Sequence, residues 1–72
     1  MTAITTIRIE HAALPDHLDR SRPDAVARVI EAELRHAGIN AEASDLISHI
    51  KIELPTAQLV ATSAVLASLQ LI

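Results

Sequence analysis

The stretch His49-Ile50-Lys51-Ile52-Glu53-Leu54 alternates polar and apolar side chains, and Pro55 follows it directly. Because successive side chains of a strand point to opposite faces, this alternation predicts a strand over residues 48–54 with one buried face. The stretch Thr5-Thr6-Ile7-Arg8-Ile9-Glu10 shows the same alternation with β-branched residues, and it predicts a strand over residues 4–10.

The two predicted strands share one charge pattern, in which a cation and a glutamate flank an isoleucine. Antiparallel pairing with Ile9 opposite Ile52 places each cation across from a glutamate of the other strand. Such pairs stabilise a sheet by about 0.2–1 kcal/mol each. The predicted cross-strand pairs are Arg8 with Glu53 and Glu10 with Lys51. Each strand is also self-complementary about its central isoleucine, as a two-fold dimer requires. We therefore expect antiparallel pairing, either within the chain or across a homodimer.

Residues 22–37 have the periodicity of an amphipathic helix. Pro23 and Asp24 suit its first turn, and Ser21 is the predicted N-cap. Gly38 is the predicted left-handed residue that ends the helix. The predicted buried stripe consists of Val26, Val29, Ile30, Leu34 and Ala37. Residues 11–21 are predicted to form a loop, and the pattern of residues 39–48 is ambiguous.

The last 19 residues, 54–72, contain no charged side chain, and residues 56–71 predict an apolar helix. The element order is then β-α-β-α, which indicates a single small domain over residues 1–72. The predicted fold class is α+β, with the strands and helices in two layers.

The chain has no Cys, Phe, Trp or Tyr among its 72 residues. A core of this size rarely supplies more than about 3–5 kcal/mol, and neither disulfides nor aromatic anchors add to it. We therefore expect homo-oligomer formation, most simply as a dimer, through one strand and the apolar helix. A core position for that helix, or a different partner, is the alternative. The predicted interface residues are Ile9, Ile52, Leu59, Val65, Leu66 and Leu69.

The segment 16–22 has the densest charge of both signs, and it is the predicted contact with a protein partner. The predicted contact residues are Asp16, His17, Asp19, Arg20 and Arg22. Arginine offers forked donors to a carboxylate or phosphate. A metal site built on His11 and His17 is an alternative, but their spacing matches no recognised ligand motif, so we expect no metal and no other cofactor.

Several functional classes have little support in the sequence. Neither a nucleophile elbow nor a phosphate-binding glycine loop is present, so we expect no enzymatic activity. A net charge of −3 makes nucleic-acid binding unlikely. The first residues have neither the basic region nor the apolar run of a signal peptide, and the uncharged end is rich in polar residues. We therefore expect a cytoplasmic protein that does not bind membranes.

The segment 50–55, Ile-Lys-Ile-Glu-Leu-Pro, followed by a helix, resembles the opening of the ribbon-helix-helix repressors and antitoxins. In that family the strand pairs with its dimer mate and enters the major groove of DNA, so the resemblance implies a DNA contact at Lys51. Our main expectation is a small non-catalytic, homo-oligomeric binding or regulatory protein that acts through protein contacts. The DNA-binding regulator is the alternative.

Overall fold

The computed structural model describes residues 3–72 and shows a mixed α+β chain with three strands and two α-helices. The strands are β1 (Ile4–Glu10), β2 (Glu42–Asp45) and β3 (His49–Pro55), and the helices are α1 (Pro23–His36) and α2 (Leu59–Ser68). Short 3-10 turns at His11–Ala13 and Thr56–Gln58 follow β1 and β3.

The three strands form one antiparallel sheet in the order β1-β3-β2. The element order is therefore β-α-β-β-α, because a strand and a tight turn occupy the ambiguous segment 39–48. The side chains of β2 are Glu, Ala, Ser and Asp, which lack the branched and aromatic residues that mark strands. Backbone pairing with β3 holds this segment in the sheet.

β1 and β3 pair antiparallel, but the predicted register is wrong by two residues. Ile52 lies opposite Ile7, and Ile9 lies opposite Ile50, so that Arg8 faces Lys51. The observed register pairs all seven residues of both strands, whereas the predicted register would pair five. The additional backbone hydrogen bonds outweigh the attraction between exposed charges. The charges instead form ion pairs within each strand. Arg8 Nε lies 2.6 Å from Glu10 Oε1, and Lys51 Nζ lies 3.4 Å from Glu53 Oε1.

One face of the sheet and both helices contribute to a single core. Ile50, Ile52 and Leu54 of β3 are buried, whereas the alternate residues of β3 are partly exposed. The remaining buried apolar residues are Ile9, Leu14, Val26, Ala27, Ile30, Leu34, Ile39, Ala41 and Leu66. Three predicted interface residues, Ile9, Ile52 and Leu66, therefore pack inside the chain.

The core residues are at most 5% exposed in the single chain, and the size of the molecule is that of a compact domain. Its accessible surface is 4507 Å², and a folded monomer of 7.7 kDa has roughly 4300 Å². Its radius of gyration, 11.4 Å, is also close to the value of about 11 Å for a compact domain of this length. Any association must therefore use surfaces outside the core.

The start of α1 differs from the prediction, because Ser21 is not its N-cap. Arg22 occupies that position, and within residues 3–72 it makes no side-chain capping hydrogen bond. The Ser21 hydroxyl donates to Asp19 instead. Pro23 is the first helical residue, where its missing N–H is harmless. Along the predicted stripe, Val29 is exposed and Ala27 is buried.

Both helices end in a Schellman motif. At the end of α1, Gly38 has a φ of 83°, and Ile39 N–H donates to Leu34 O at 3.0 Å. At the end of α2, Gln70 has a φ of 62°, and Leu71 N–H donates to Leu66 O at 2.9 Å. The same backbone geometry is thus occupied once by glycine and once by a residue with a Cβ.

Within residues 3–72, both helices are too short, or insufficiently apolar, to cross a bilayer.

We expect opposite effects from exchanging the two left-handed residues. Gly38→Ala lowers the free energy of unfolding by about 1–2 kcal/mol, because a Cβ disfavours a positive φ. No heavy atom lies within 4 Å of that Cβ, so a clash does not contribute. Gln70→Gly removes the same strain and raises the free energy of unfolding by about 0.5–1 kcal/mol. Urea unfolding followed by far-UV circular dichroism measures both changes in the free energy of unfolding. If both variants were stabilised or both were destabilised, the left-handed conformation of these two residues would be contradicted.

Candidate interaction surfaces

The charged loop between β1 and α1 is held in place by its own side chains. Leu14 is 1% exposed and anchors the loop in the core. Arg20 Nε donates to Leu14 O at 2.8 Å, and Arg20 Nη2 donates to Asp16 Oδ1 at 3.0 Å. Arg20 therefore closes the loop on itself, and two of its five donors are used within the chain.

Asp19 is also engaged inside the loop. Its Oδ1 accepts the Ser21 hydroxyl at 2.5 Å and the Ser21 N–H at 3.0 Å. Both hydrogen bonds hold the pKa of Asp19 below its ordinary value, and the bond from the Ser21 side chain has a larger effect than the bond from its backbone. The positive charge of Arg22 lowers the pKa further. Ser21 thus organises the loop, a role that its proximity to α1 did not reveal.

The structure brings four of the five predicted contact residues to one shallow depression of about 460 Å³. Asp16, His17, Asp19 and Arg20 line it, together with Leu18 and Ser21. Arg22 is exposed but lies outside the lining. The surface is polar and partly bonded within the loop, and His17 is its exposed imidazole.

The two histidines of the alternative metal site line different surfaces. His17 lies in the loop depression, whereas His11 lines a groove beside the β2–β3 turn. Among residues 3–72, no three His, Asp or Glu side chains are grouped so that they could hold a metal ion.

The outer edge of β1 is the longest unpaired strand edge in the described chain. The backbone N–H and C=O groups of the odd-numbered β1 residues bond to β3. Two bonds at the ends of the strand show this, because Thr56 N–H donates to Ala3 O and His11 N–H donates to Ser48 O in the register of the β1–β3 pair. In an antiparallel pair such bonds alternate along the strand, so the even-numbered residues direct their backbone groups outward. We call this surface the open edge, and it consists of Ile4, Thr6, Arg8 and Glu10.

The outer edge of β2, by contrast, is closed by α1. Glu31 Oε1 accepts the Ala43 N–H at 3.1 Å, and Arg35 Nε donates to Ala41 O at 3.1 Å. Glu31 and Arg35 are themselves 3.7 Å apart, so each also balances the other's charge. The β2 edge is therefore covered by α1, which bonds two of its backbone groups, whereas the β1 edge is open.

The remaining predicted interface residues lie on α2 and are partly buried. Leu59 and Val65 pack against the core, and Leu69 is likewise only partly exposed. The outward face of α2 carries Val60, Ala61, Ala64 and Ala67 instead. These side chains are small, apart from Val60, which is 85% exposed.

The turn between β2 and β3 forms a surface that the sequence analysis did not single out. Leu46 is 41% exposed and Ile47 is 101% exposed. Hairpin turns usually contain Gly, Asn, Asp or Pro, so two large aliphatic residues at this place are unusual. The adjacent residues Leu46 and Ile47 are the sequence feature that indicates this surface. They can be recognised as turn residues only once β2 is known.

β3 occupies the centre of the sheet, with β1 on one edge and β2 on the other. Its backbone is therefore fully used inside the chain. A ribbon-helix-helix strand pairs with its dimer mate, and β3 has no free edge for that contact. Of the two self-complementary strands, only β1 remains available for pairing across a two-fold axis.

Comparisons of the chain with protein-family models, curated proteins and solved structures find no match. The functional argument therefore rests on the surfaces described above.

We expect Glu31→Ala to lower the free energy of unfolding by about 1–2 kcal/mol, because it removes the acceptor for the half-buried Ala43 N–H. Glu31→Gln keeps an oxygen at that place and loses less. Glu33→Ala is the matched control, since Glu33 is an exposed glutamate of the same helix. Urea unfolding compares the three variants, and equal losses for Glu31→Ala and Glu33→Ala would show that the β2 edge is not closed in this way.

We expect Ser21→Ala to raise the pKa of Asp19 toward its ordinary value of 3.8, because both the hydroxyl donor and the loop geometry are lost. A depressed pKa contributes stability that is present above the unfolded pKa and lost as the pH falls through the folded pKa. Lowering the pH should therefore remove less of the stability of this loop in the variant than in the parent chain. An NMR titration of the Asp19 carboxyl carbon measures the shift, with Ser44→Ala as control. An unchanged Asp19 pKa would contradict the assignment.

Proposed function

We propose that this protein is a small non-catalytic binding or regulatory protein of the cytoplasm, and that it acts as a homodimer through protein contacts. The observation that supports the proposal is the difference between the two sheet edges. Edge strands are usually protected by charge, proline, bulges or covering elements. α1 covers part of the β2 edge in this way, whereas the seven-residue strand β1 presents the open edge, whose charges are Arg8 and Glu10. A second copy of the chain is the partner proposed for it.

Two copies of β1 pair antiparallel in this proposal, about a two-fold axis that passes through Ile7. The hydrogen-bonded pairs are then Ile4 with Glu10 of the second copy and Thr6 with Arg8 of the second copy, and each occurs twice. Such pairing forms about eight backbone hydrogen bonds and places no like charges directly opposite each other. The result is a continuous six-stranded sheet.

The register centred on Ile9 would instead place Arg8 opposite Glu10 of the second copy. It uses only Arg8 and Glu10 of the open edge and forms about four backbone hydrogen bonds. Two exposed charge pairs add about 0.2–1 kcal/mol each, whereas four further backbone bonds add about 0.5–1.5 kcal/mol each. The additional backbone bonds therefore favour the register centred on Ile7. Backbone bonds likewise outweigh charge pairs in the register between β1 and β3.

We expect Thr6→Pro to convert the dimer to a monomer while the fold remains intact. Thr6 directs its N–H toward the open edge, so proline removes a bond to the second copy and none to β3. Thr6→Ala keeps that N–H and is the matched control. Light scattering at tens of micromolar protein should give twice 7.7 kDa for the parent chain and Thr6→Ala, and 7.7 kDa for Thr6→Pro.

Far-UV circular dichroism of Thr6→Pro shows whether the fold is retained. Hydrogen exchange at the amides of Thr6 and Arg8, measured in the parent chain over a range of concentrations, provides a second readout. Protection that rises with concentration supports the pairing. A folded monomer for the parent chain at all concentrations would refute the homodimer, and a dimer without protection at these amides would refute the open edge as its interface.

A further inference from the structure

The turn between β2 and β3 borders a groove that the proposed dimer does not use. The groove has a volume of about 750 Å³ and is open to solvent. We call it the hairpin groove, and its lining residues are His11, Pro23, Asp45, Leu46, Ile47, Ser48 and His49. The end of β1, the start of α1 and the β2–β3 turn meet there.

The apolar part of the hairpin groove is its rim. Leu46 and Ile47 project from the turn, and Ile47 is fully exposed. The turn itself is well ordered by backbone contacts, because Leu46 N–H donates to His49 O at 2.7 Å and His11 N–H donates to Ser48 O at 3.1 Å. Because these backbone bonds already hold the turn, a partner that covers the two aliphatic side chains has little backbone to order, and burying them contributes apolar contact area.

The polar part of the hairpin groove has a defined charge. Asp45 is the one carboxylate among the described lining residues, and none of them is Lys or Arg. Within residues 3–72, the buried Nε2 of His11 has no hydrogen-bond partner. Ser48 Oγ and His49 Nδ1 are 3.1 Å apart and satisfy each other. A ligand in the groove therefore meets a carboxylate and two aliphatic side chains, whereas the buried His11 nitrogen is out of its reach.

We propose that the hairpin groove binds an extended segment of a partner protein in which Lys or Arg lies beside aliphatic residues. The cation pairs with Asp45, and the aliphatic side chains pack on Leu46 and Ile47. Charge complementarity carries the choice, since the lining is acidic and the whole chain has a net charge of −3. A phosphate-bearing ligand has no cation to meet in this lining. The volume lies in the range of about 300–1000 Å³ that is usual for ligand sites.

This binding site goes beyond the proposed homodimer and is independent of it. The groove lies at the end of β3 that begins with His49, and β2 lies on the far side of β3 from the open edge. In the antiparallel dimer the two grooves lie at opposite ends of the sheet, and both remain accessible. Monomer and dimer should therefore bind the same segment.

NMR titration of the ¹⁵N-labelled chain with two synthetic tripeptides tests the proposal. The probes are acetyl-Leu-Arg-Leu-amide and acetyl-Leu-Glu-Leu-amide, which differ only in charge. We expect the Arg peptide to shift the amide signals of His11 and of residues 45–49, and the Glu peptide to bind at least five-fold more weakly. Shifts that are equal for both peptides, absent up to 10 mM or confined to other residues would overturn the proposal.

Substitutions in the groove separate its apolar and charged contributions. Ile47→Ser should weaken binding of the Arg peptide about ten-fold, because a buried aliphatic contact is lost. Asp45→Asn should weaken it about two- to five-fold, with a smaller dependence on salt. Val60→Ser is the matched control, since Val60 is an exposed aliphatic residue on α2 and outside the groove.

The same variants exclude other occupants. Equal affinity of Ile47→Ser and Val60→Ser for the Arg peptide would overturn the groove as the site. Signals of residues 45–49 that move with protein concentration alone would show that a second copy occupies it, which also overturns the proposal. Thr6→Pro should bind the Arg peptide as the parent chain does. A parent chain that stays monomeric but binds the Arg peptide refutes the homodimer alone, and a parent chain that dimerises but does not bind the peptide refutes only the groove.

Discussion

β3 bonds to a neighbouring strand along both of its edges, and the three inward residues Ile50, Ile52 and Leu54 are buried between the sheet and the helices. Because β3 occupies the centre, β1 and β2 become the outer strands. α1 connects these outer strands, and it lies along β2, where Glu31 and Arg35 satisfy the strand edge. Among the described residues 3–72, no equivalent element bonds to the outer edge of β1. The open edge is therefore a direct consequence of placing β3 in the middle.

The strands β1 and β3 could be predicted because both alternate strictly between polar and apolar residues. β2 could not, since Glu42–Asp45 has no alternation and becomes a strand through backbone pairing with β3. The register could not be predicted from charge either. Exposed charge pairs are worth less than the backbone bonds that a full seven-residue overlap provides, so Arg8 lies opposite Lys51 and bonds within its own strand.

The candidate surfaces were harder to predict than the fold, for a related reason. Asp19 and Arg20 are charged loop residues, and a sequence does not show whether such groups are satisfied within the loop. Ser21 and the Leu14 carbonyl satisfy them here. For Leu46 and Ile47 the difficulty is reversed. An apolar pair predicts buried core residues, and only the position of the turn shows that both are exposed. Burial of Ile9, Ile52 and Leu66 inside the chain likewise follows from three-dimensional packing that composition does not reveal.

The two surfaces divide the work of a small protein without conflict. An antiparallel two-fold axis beside β1 reverses the direction of the second copy, so the hairpin grooves lie at opposite ends of the six-stranded sheet. The proposed dimer would then present two identical sites on one six-stranded sheet. When two sites engage linked segments, the second contact becomes intramolecular and avidity rises without any new contact. In the proposed dimer, strand pairing would supply a second groove without enlarging the core of either copy.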